Sequence, residues 1–224
     1  MIYIEKHMKP LTVSRPIDSA VWDQFNGEQF WQNTLEILQK NEIKTAIDIG
    51  ASSGIFLMFL LGISSLQKIS CFEPDEENFK LLQRNSEGLG EGVDLYNVGI
   101  YYGLKESGVV GTGDQSPLGY MVKDVQKEHD WRWGTIPYEG KKFKLTTLEK
   151  IIKTPVDLIK MDVEGSEYNI IEKSRILKHS KYLIISFHNH PEEYVKNFIS
   201  KKLPKYHIIL FRGDCDYADA FLGK

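Results

Sequence analysis

Acidic residues recur in this chain at the ends of short apolar runs, each followed by a turn. Asp48 lies in Thr45-Ala46-Ile47-Asp48-Ile49 just ahead of Gly50, and Glu73 follows Lys68-Ile69-Ser70-Cys71-Phe72. Asp162 and Glu164 follow the run from Val156 to Met161. Asn97 stands near the end of another such run, and His188 and His190 follow one more. A carboxylate at a strand end can accept both hydroxyls of a ribose. A glycine turn lets a ligand approach the backbone with no Cβ in the way. The helix start after Ser53 offers N–H groups and partial positive charge to a carboxylate or phosphate. Asp162, Glu164 and His188 are candidates for taking a proton from a reacting hydroxyl. An imidazole that titrates near neutral pH suits that task, although both histidines also fit loop positions with no chemical role. Acids in the first turn of a helix are favoured by its dipole alone, a second account of Glu164 and Glu167.

The loop Gly50-Ala51-Ser52-Ser53-Gly54 narrows the ligand. A dinucleotide fingerprint needs Gly-x-Gly-x-x-Gly, so that a pyrophosphate can rest against the helix. Counted from Gly50, Ser52 takes the place of the second glycine and Ile55 that of the third, with Gly54 one residue out of register. With Asp48 just before the turn, the pattern disfavours a pyrophosphate. It favours the amino-acid tail and cationic sulfonium of S-adenosylmethionine.

These residues need a scaffold that brings strand ends together. Thr45 to Ile49 reads as a strand and the apolar segment from Ile55 to Leu61 as a helix. Lys68 to Phe72 reads as a second strand, and Asp75 as the N-cap of a helix from Glu76 to about Ser86. Val93 to Val98 forms a third strand. Val156 to Met161 is a fourth, followed by a helix from Glu167 to about Leu177. Lys181 to Phe187 is a fifth, followed by a helix through Ile199. Thr146 or Thr147 caps a short helix through Ile152. Tyr206 to Phe211 and Tyr217 to Leu222 pair across a Gly213-Asp214 turn. Strands alternating with helices argue a parallel, doubly wound α/β sheet, here of seven strands with a terminal antiparallel hairpin.

Two stretches flank this pattern. Residues 1–43 read as an N-terminal helical cover, with a break at Asn26-Gly27 and Phe30, Trp31, Leu35, Ile37 and Leu38 on one face. That face packs on the sheet or forms an aromatic cover over a cofactor. Residues 99–143 read as an insertion shaping the acceptor site, with a hairpin between Val109 and Val122. Trp131 and Trp133 in it form a sugar-stacking lid or seal a sheet edge.

Composition bounds the rest. The chain has 224 residues and is 42% hydrophobic, enough for one sizeable core, so a single domain over 1–224 is expected. A net charge of −3 gives no electrostatic case for nucleic acid. Two cysteines, Cys71 and Cys215, are too few for a disulfide framework. No stretch approaches the roughly 18 apolar residues of a membrane span, and no signal h-region is visible. A soluble, cytoplasmic protein is expected.

The sequence resembles the FkbM family of S-adenosylmethionine-dependent methyltransferases. The matching residues are Ile47-Asp48-Ile49-Gly50-Ala51-Ser52-Ser53-Gly54, Phe72-Glu73-Pro74, Asn97, Thr147-Leu148 and above all the block from Asp157 to Glu167. The resemblance implies a Rossmann-like class I methyltransferase that methylates a hydroxyl of a sugar, glycan or natural product. It implies that Asp48, Gly50 and Gly54 line the methionine half, Glu73 holds the ribose and Asn97 lies near the adenine. Ser52 and Phe72 complete the cofactor side. Asp162 and Glu164 face the transfer centre, Asp162 touching the cofactor as well, with His188 as a third catalytic candidate. S-adenosylhomocysteine would be the product. Geometry admits a divalent metal between Asp162 and His188, but the sequence shows no compact ligand cluster, so no metal is assigned. The chain departs from the family at Ser186, where a glutamate is common, and at Lys173, where a glycine is. The rival readings are a nicotinamide-dependent oxidoreductase on a related sheet and a binding module that has lost transfer. The acceptor is expected to be a carbohydrate or small-molecule hydroxyl compound.

Overall fold

The computed structural model describes residues 28–63, 65–103, 107–111, 121–123, 141–188, 190–213 and 217–224. The Asn26-Gly27 break, the cover before Glu28, Cys215, Trp131 and Trp133 lie outside the described residues. Helix α1 (Gln29–Lys40) leads to strand β1 (Thr45–Ile49), helix α2 (Ile55–Leu60), strand β2 (Lys68–Phe72) and helix α3 (Glu76–Ser86). Strands β3 (Val93–Tyr96), β4 (Gly99–Ile100), β5 (Ser107–Gly111), β6 (Met121–Lys123) and β7 (Lys141–Thr146) follow. The chain continues through α4 (Leu148–Ile151), β8 (Leu158–Asp162), α5 (Glu167–Lys173), α6 (Arg175–His179), β9 (Tyr182–His188) and α7 (Glu192–Lys202). It closes with β10 (His207–Gly213) and β11 (Tyr217–Gly223).

The main sheet has seven strands in the order β10-β11-β9-β8-β1-β2-β3. The pairs from β9 through β3 are parallel, and β11 is antiparallel to both neighbours. This is the expected architecture. β1 winds to β2 on one side and meets β8 on the other, so the topological switch lies between β1 and β8. Open α/β sheets bind ligands outside the carboxyl ends of the strands at such a point.

Strand alternation divides the core. Ala46, Leu158, Ile184 and Phe221 face a cluster built from α1 and α2, while Ile47, Ile49, Ile159, Met161, Ile185 and Phe187 face the other layer. Helix α1 buries Phe30, Trp31, Thr34, Leu35 and Leu38, so its aromatic face packs on the domain. The Trp31 ring lies 6.3 Å from that of Phe56 and 5.9 Å from that of Phe59. All six residues of α2 are buried, as suits a helix apolar on every side.

The departures from the sequence reading have local causes. The third strand stops at Tyr96, because Asn97 turns to donate to the Glu73 and Pro74 carbonyls. The chain then leaves the main sheet, and β4 pairs with β7 instead. The helix expected from Glu167 to Leu177 is two helices, because extended Ser174 caps α6 through Leu177 N–H. Glu149 completes that break by accepting from Ser174 Oγ and from the Arg175 and Ile176 N–H groups. Thr147 stands at the N-cap of α4, but its side chain makes no capping hydrogen bond. Asp75 does cap α3, accepting from Glu77 and Asn78 N–H. The hairpin expected between Val109 and Val122 forms, with Val110 opposite Val122. Among the described residues, no helix is long and apolar enough to cross a membrane.

Gly50 shows how tightly the first turn seats on the sheet. A Cβ there, at φ +81°, would lie 1.9 Å from the Asp162 carbonyl oxygen. Gly90 has a similar φ of +90° but open space around it. Gly90→Ala is therefore expected to cost about 1–2 kcal/mol, the left-handed backbone penalty alone. Gly50→Ala should cost roughly 3 kcal/mol or more, since backbone must also move. Equal shifts of the urea unfolding midpoint in the two variants would refute this docking.

Candidate active site

The carboxyl ends of β1, β2, β8 and β9 gather most of the residues singled out in the sequence. At their centre lies a charge contact inside the sheet. Asp48 on β1 is directly opposite Lys160 on β8, and both are buried. Lys160 Nζ lies 3.3 Å from Asp48 Oδ1 and 3.9 Å from Asp162 Oδ2, and it donates to the Gly50 carbonyl at 3.1 Å. Neither Asp48 oxygen meets a well-aligned donor among the described residues, so the Lys160 charge is the chief hold on it. Burial works against the charge on Lys160, but Asp48 and then Asp162 outweigh it, and the ammonium's pKa is raised. Burial also raises the Asp48 carboxyl, against the pull of Lys160. Asp48 therefore acts beneath the loop, steering it through Lys160, while the loop itself forms the surface.

The loop hangs on Glu73. Its Oε2 accepts from Ser52 N–H at 2.8 Å and its Oε1 from Asp75 N–H at 2.9 Å. Those bonds pin Ser52 in a left-handed conformation at φ +48°. Each carboxylate oxygen keeps a further lone pair for a ligand hydroxyl. Burial is the main influence on Glu73 and lifts its pKa to about 7, against the two backbone hydrogen bonds. Gly54 turns at φ +93°, where a Cβ would press on Leu82. The Phe72 side chain is wholly buried and stacks on Tyr96 at 4.8 Å. Only its backbone reaches the loop, with its carbonyl accepting from Gly50 and Ala51 N–H. Helix α2 has only six residues, so its N-terminus offers less dipole than the sequence suggested.

Asp162, Glu164 and His188 meet on the β8 and β9 side. His188 Nε2 lies 3.6 Å from Asp162 Oδ1 and 3.6 Å from Glu164 Oε2. The other ring nitrogen, Nδ1, is hydrogen-bonded to Glu167 Oε1 at 2.8 Å. Glu167 is fully buried and accepts from Val163 N–H as well. Burial opposes a charge on His188, but Glu167, Asp162 and Glu164 together lift its pKa to about 10. The acids around the ring therefore favour its protonated form. Burial raises Glu164 to about 7, partly offset by His188. Glu164 sits in the left-handed region at φ +51°, followed by Gly165 at +101°. That turn aims its carboxylate at the ring. His190 lies apart, stacked on Tyr194 at 4.0 Å.

Lys160, Tyr217 and Asp219 escaped the sequence reading. Lys160 left a signal, being a lysine inside the apolar run Leu158-Ile159-Lys160-Met161, where a buried charge needs a partner. Glu167 carries a role beyond the helix dipole, because it orients His188. Tyr217 and Asp219, on antiparallel β11, left none. Tyr217 packs its ring 5.3 Å from that of His188, and its hydroxyl donates to Asp219 at 2.6 Å. Asp219 also accepts from Ser186 Oγ at 2.7 Å and from Arg212 Nε at 2.6 Å. Arg212 also pairs with Glu28 and lies over the Phe30 and Trp31 rings.

A family model described as the methyltransferase FkbM domain matches residues 48–217. No curated protein matches the chain. An rRNA methylase from Streptococcus thermophilus is 12% identical with a TM-score of 0.53, over 88% of this chain and 98% of that one. Trm5b from Pyrococcus abyssi is 10% identical with a TM-score of 0.51, over 87% and 48%. An uncharacterized protein from Listeria monocytogenes serotype 4b is 14% identical with a TM-score of 0.49, over 85% and 66%. The chain thus spans just under two thirds of the Listeria protein and about half of Trm5b. At these identities the likeness is one of fold.

The position of Glu73 has a measurable signature. Its pKa in the fold, about 7, lies above its ordinary 4.5. Its contribution to stability is therefore full below about pH 4.5 and is lost as pH rises through 7. Glu73→Gln removes this slope and leaves a constant offset. The difference in unfolding free energy between variant and wild type should move in the variant's favour by about 3 kcal/mol across that window. Urea unfolding at a series of pH values measures it, and parallel curves for the two proteins would refute the assignment.

Proposed function

The chain belongs to the FkbM family of methyltransferases, and on that premise we propose that it moves a methyl group from S-adenosylmethionine to a hydroxyl of a sugar or glycan. The observation that carries this reading is the meeting of a glycine loop, a ribose-type carboxylate and a carboxylate–histidine cluster along one sheet edge. Glu73 would take the ribose hydroxyls on its free lone pairs. Gly50 to Gly54 would pass the methionine half, and Asn97, exposed beyond β3, would border the adenine. Asp162, between Lys160 and His188, would stand where the sulfonium and the acceptor meet.

The transfer itself breaks the sulfur–methyl bond, whose electron pair stays on sulfur to give S-adenosylhomocysteine. A bond forms between the methyl carbon and the acceptor oxygen. The hydroxyl proton passes to the Glu164 carboxylate. Holding nucleophile and methyl in line supplies much of the acceleration. His188, fixed by Glu167, would act on the Asp162 and Glu164 carboxylates through its charge. Family membership leaves no place for the nicotinamide-dependent oxidoreductase reading.

The acceptor would be shaped by residues 99–143 and the N-terminal cover. In support, β4 leaves the main sheet two residues after Asn97 and pairs with β7, so the insertion begins at the ligand edge. The RNA acceptors named for structural neighbours are not adopted, because the net charge is −3 and the similarity is of fold.

Incubation with labelled S-adenosylmethionine and a panel of glycans, small hydroxyl compounds and transfer RNA tests the proposal. Label should enter a hydroxyl compound as a methyl ether. Label in the RNA alone would overturn the acceptor class. In calorimetry, Glu73→Ala should weaken cofactor binding by tenfold or more with the fold retained, as loss of charged hydrogen bonds of about 1.5–3 kcal/mol implies. Unchanged affinity would sink the ribose role. His188→Ala should keep near-normal cofactor affinity but lose about 10²–10⁴-fold in turnover. Full turnover would remove His188 from the transfer centre.

A further inference from the structure

We infer that Asp162, Glu164 and His188 form a binding site for one divalent transition-metal ion at the methyl-transfer edge. The inference deepens the proposed function and concerns the same residues. It stands, however, on geometry that does not depend on any methyl acceptor.

One ligand atom from each of the three residues lies within 4.8 Å of the other two. Nε2 stands 3.6 Å from each carboxylate oxygen, beyond hydrogen-bond reach. Donors about 2.1 Å from a shared metal ion stand roughly 3.0–3.6 Å apart when adjacent, so small shifts would close the triad around an ion. The described residues supply no hydrogen-bond donor to the Asp162 or Glu164 carboxylates and no acceptor for Nε2. The three groups converge without satisfying one another.

The surroundings fit a ligand histidine. A metal-bound imidazole usually gives its remote N–H to a carboxylate, which fixes the ring and its tautomer. Here Glu167 Oε1 takes that position at 2.8 Å from Nδ1. Glu167 is wholly buried, is held by Val163 N–H and, among the described residues, has no hydrogen-bond partner for its other oxygen, Oε2. Tyr217 packs edge-on against the ring, 5.3 Å between centroids. Asp162 divides its two oxygens, with Oδ2 toward Lys160 and Oδ1 toward the cluster. Its side chain is 36% exposed, so further coordination positions open toward the edge where an acceptor would arrive. One imidazole with two carboxylates suits manganese or zinc better than an oxygen-only ion such as calcium. An ion there would lower the pKa of a bound acceptor hydroxyl, and the proton would leave to the unligated oxygen of Glu164.

The test uses Mn²⁺ alone with the full chain, in the absence of cofactor and acceptor. Electron paramagnetic resonance of free Mn²⁺ should show one site per chain, and Zn²⁺ should compete for it. Glu164→Gln and His188→Ala should each weaken binding at least tenfold. Glu167→Gln, which removes no ligand, should weaken it by about 10- to 100-fold, the range typical of such supporting partners. Thermal melting confirms that each variant is folded. Wild-type titration matching that of the Glu164→Gln/His188→Ala double variant would overturn the inference. Equal affinity in wild type and Glu167→Gln would overturn the orienting role of Glu167. Metal binding without methyl transfer to any hydroxyl would count against the proposed function and leave the metal site standing. Transfer unaffected by a chelator, with no Mn²⁺ bound, would do the reverse.

Discussion

A lysine inside the central parallel strand sets the terms for the whole ligand edge. Lys160 is flanked by Ile159 and Met161 and is almost wholly buried, so its charge must be matched inside the protein. Asp48, its cross-strand partner, provides the nearest negative charge, and Asp162 the next. Burying such a pair gains little net stability over an apolar one, while breaking it strands a charge. What the pair fixes is position. By also donating to the Gly50 carbonyl, Lys160 ties the first loop to the end of β8, where the Asp162 carbonyl leaves no room for a side chain on Gly50. The first loop and the end of β8 therefore share one cation.

Strand parity explains why the polar groups collect. Asp48, Lys160, Asp162, Ser186, His188, Tyr217 and Asp219 alternate in step with Ala46, Leu158, Ile184 and Phe221, whose side chains meet the layer of α1 and α2. Toward the carboxyl ends of the parallel strands this set changes from apolar to charged. The register carries it across the sheet, from Asp162 opposite Ser186 to Ser186 opposite Asp219 and on to Arg212. Arg212 then reaches Glu28 and the aromatic rings at the start of α1. A continuous polar row thus joins the carboxyl end of β8 to helix α1.

The main strands were legible because each ends an apolar run at an acid or a glycine, and because Asp75 is a strong helix cap. The closing hairpin was legible from two apolar runs around a Gly-Asp turn. The split between α5 and α6 was not, since it depends on Glu149, a residue distant in sequence, offering its carboxylate to the second helix. The site was half legible. Asp162, Glu164 and His188 were found because they stand at strand ends. Glu167 was visible but ambiguous, because the helix dipole explains an acid there equally well. Asp219 could not be found at all, because its partnership with Ser186 exists only through antiparallel register. The compactness of the Asp162, Glu164 and His188 cluster was hidden for the same reason: 24 positions separate Glu164 from His188 in the chain, yet β8 and β9 are neighbours.

The reversal of β11 has one more result. Running against β9, it brings Tyr217 level with His188 and carries Gly223 to the level of Tyr182, at the amino end of the parallel strands. The carboxyl-terminal residues described here therefore emerge on the side of the sheet away from the ligand edge. A fluorophore or affinity handle carried on exposed Lys224 would project from that far side and leave the carboxyl ends of the parallel strands clear.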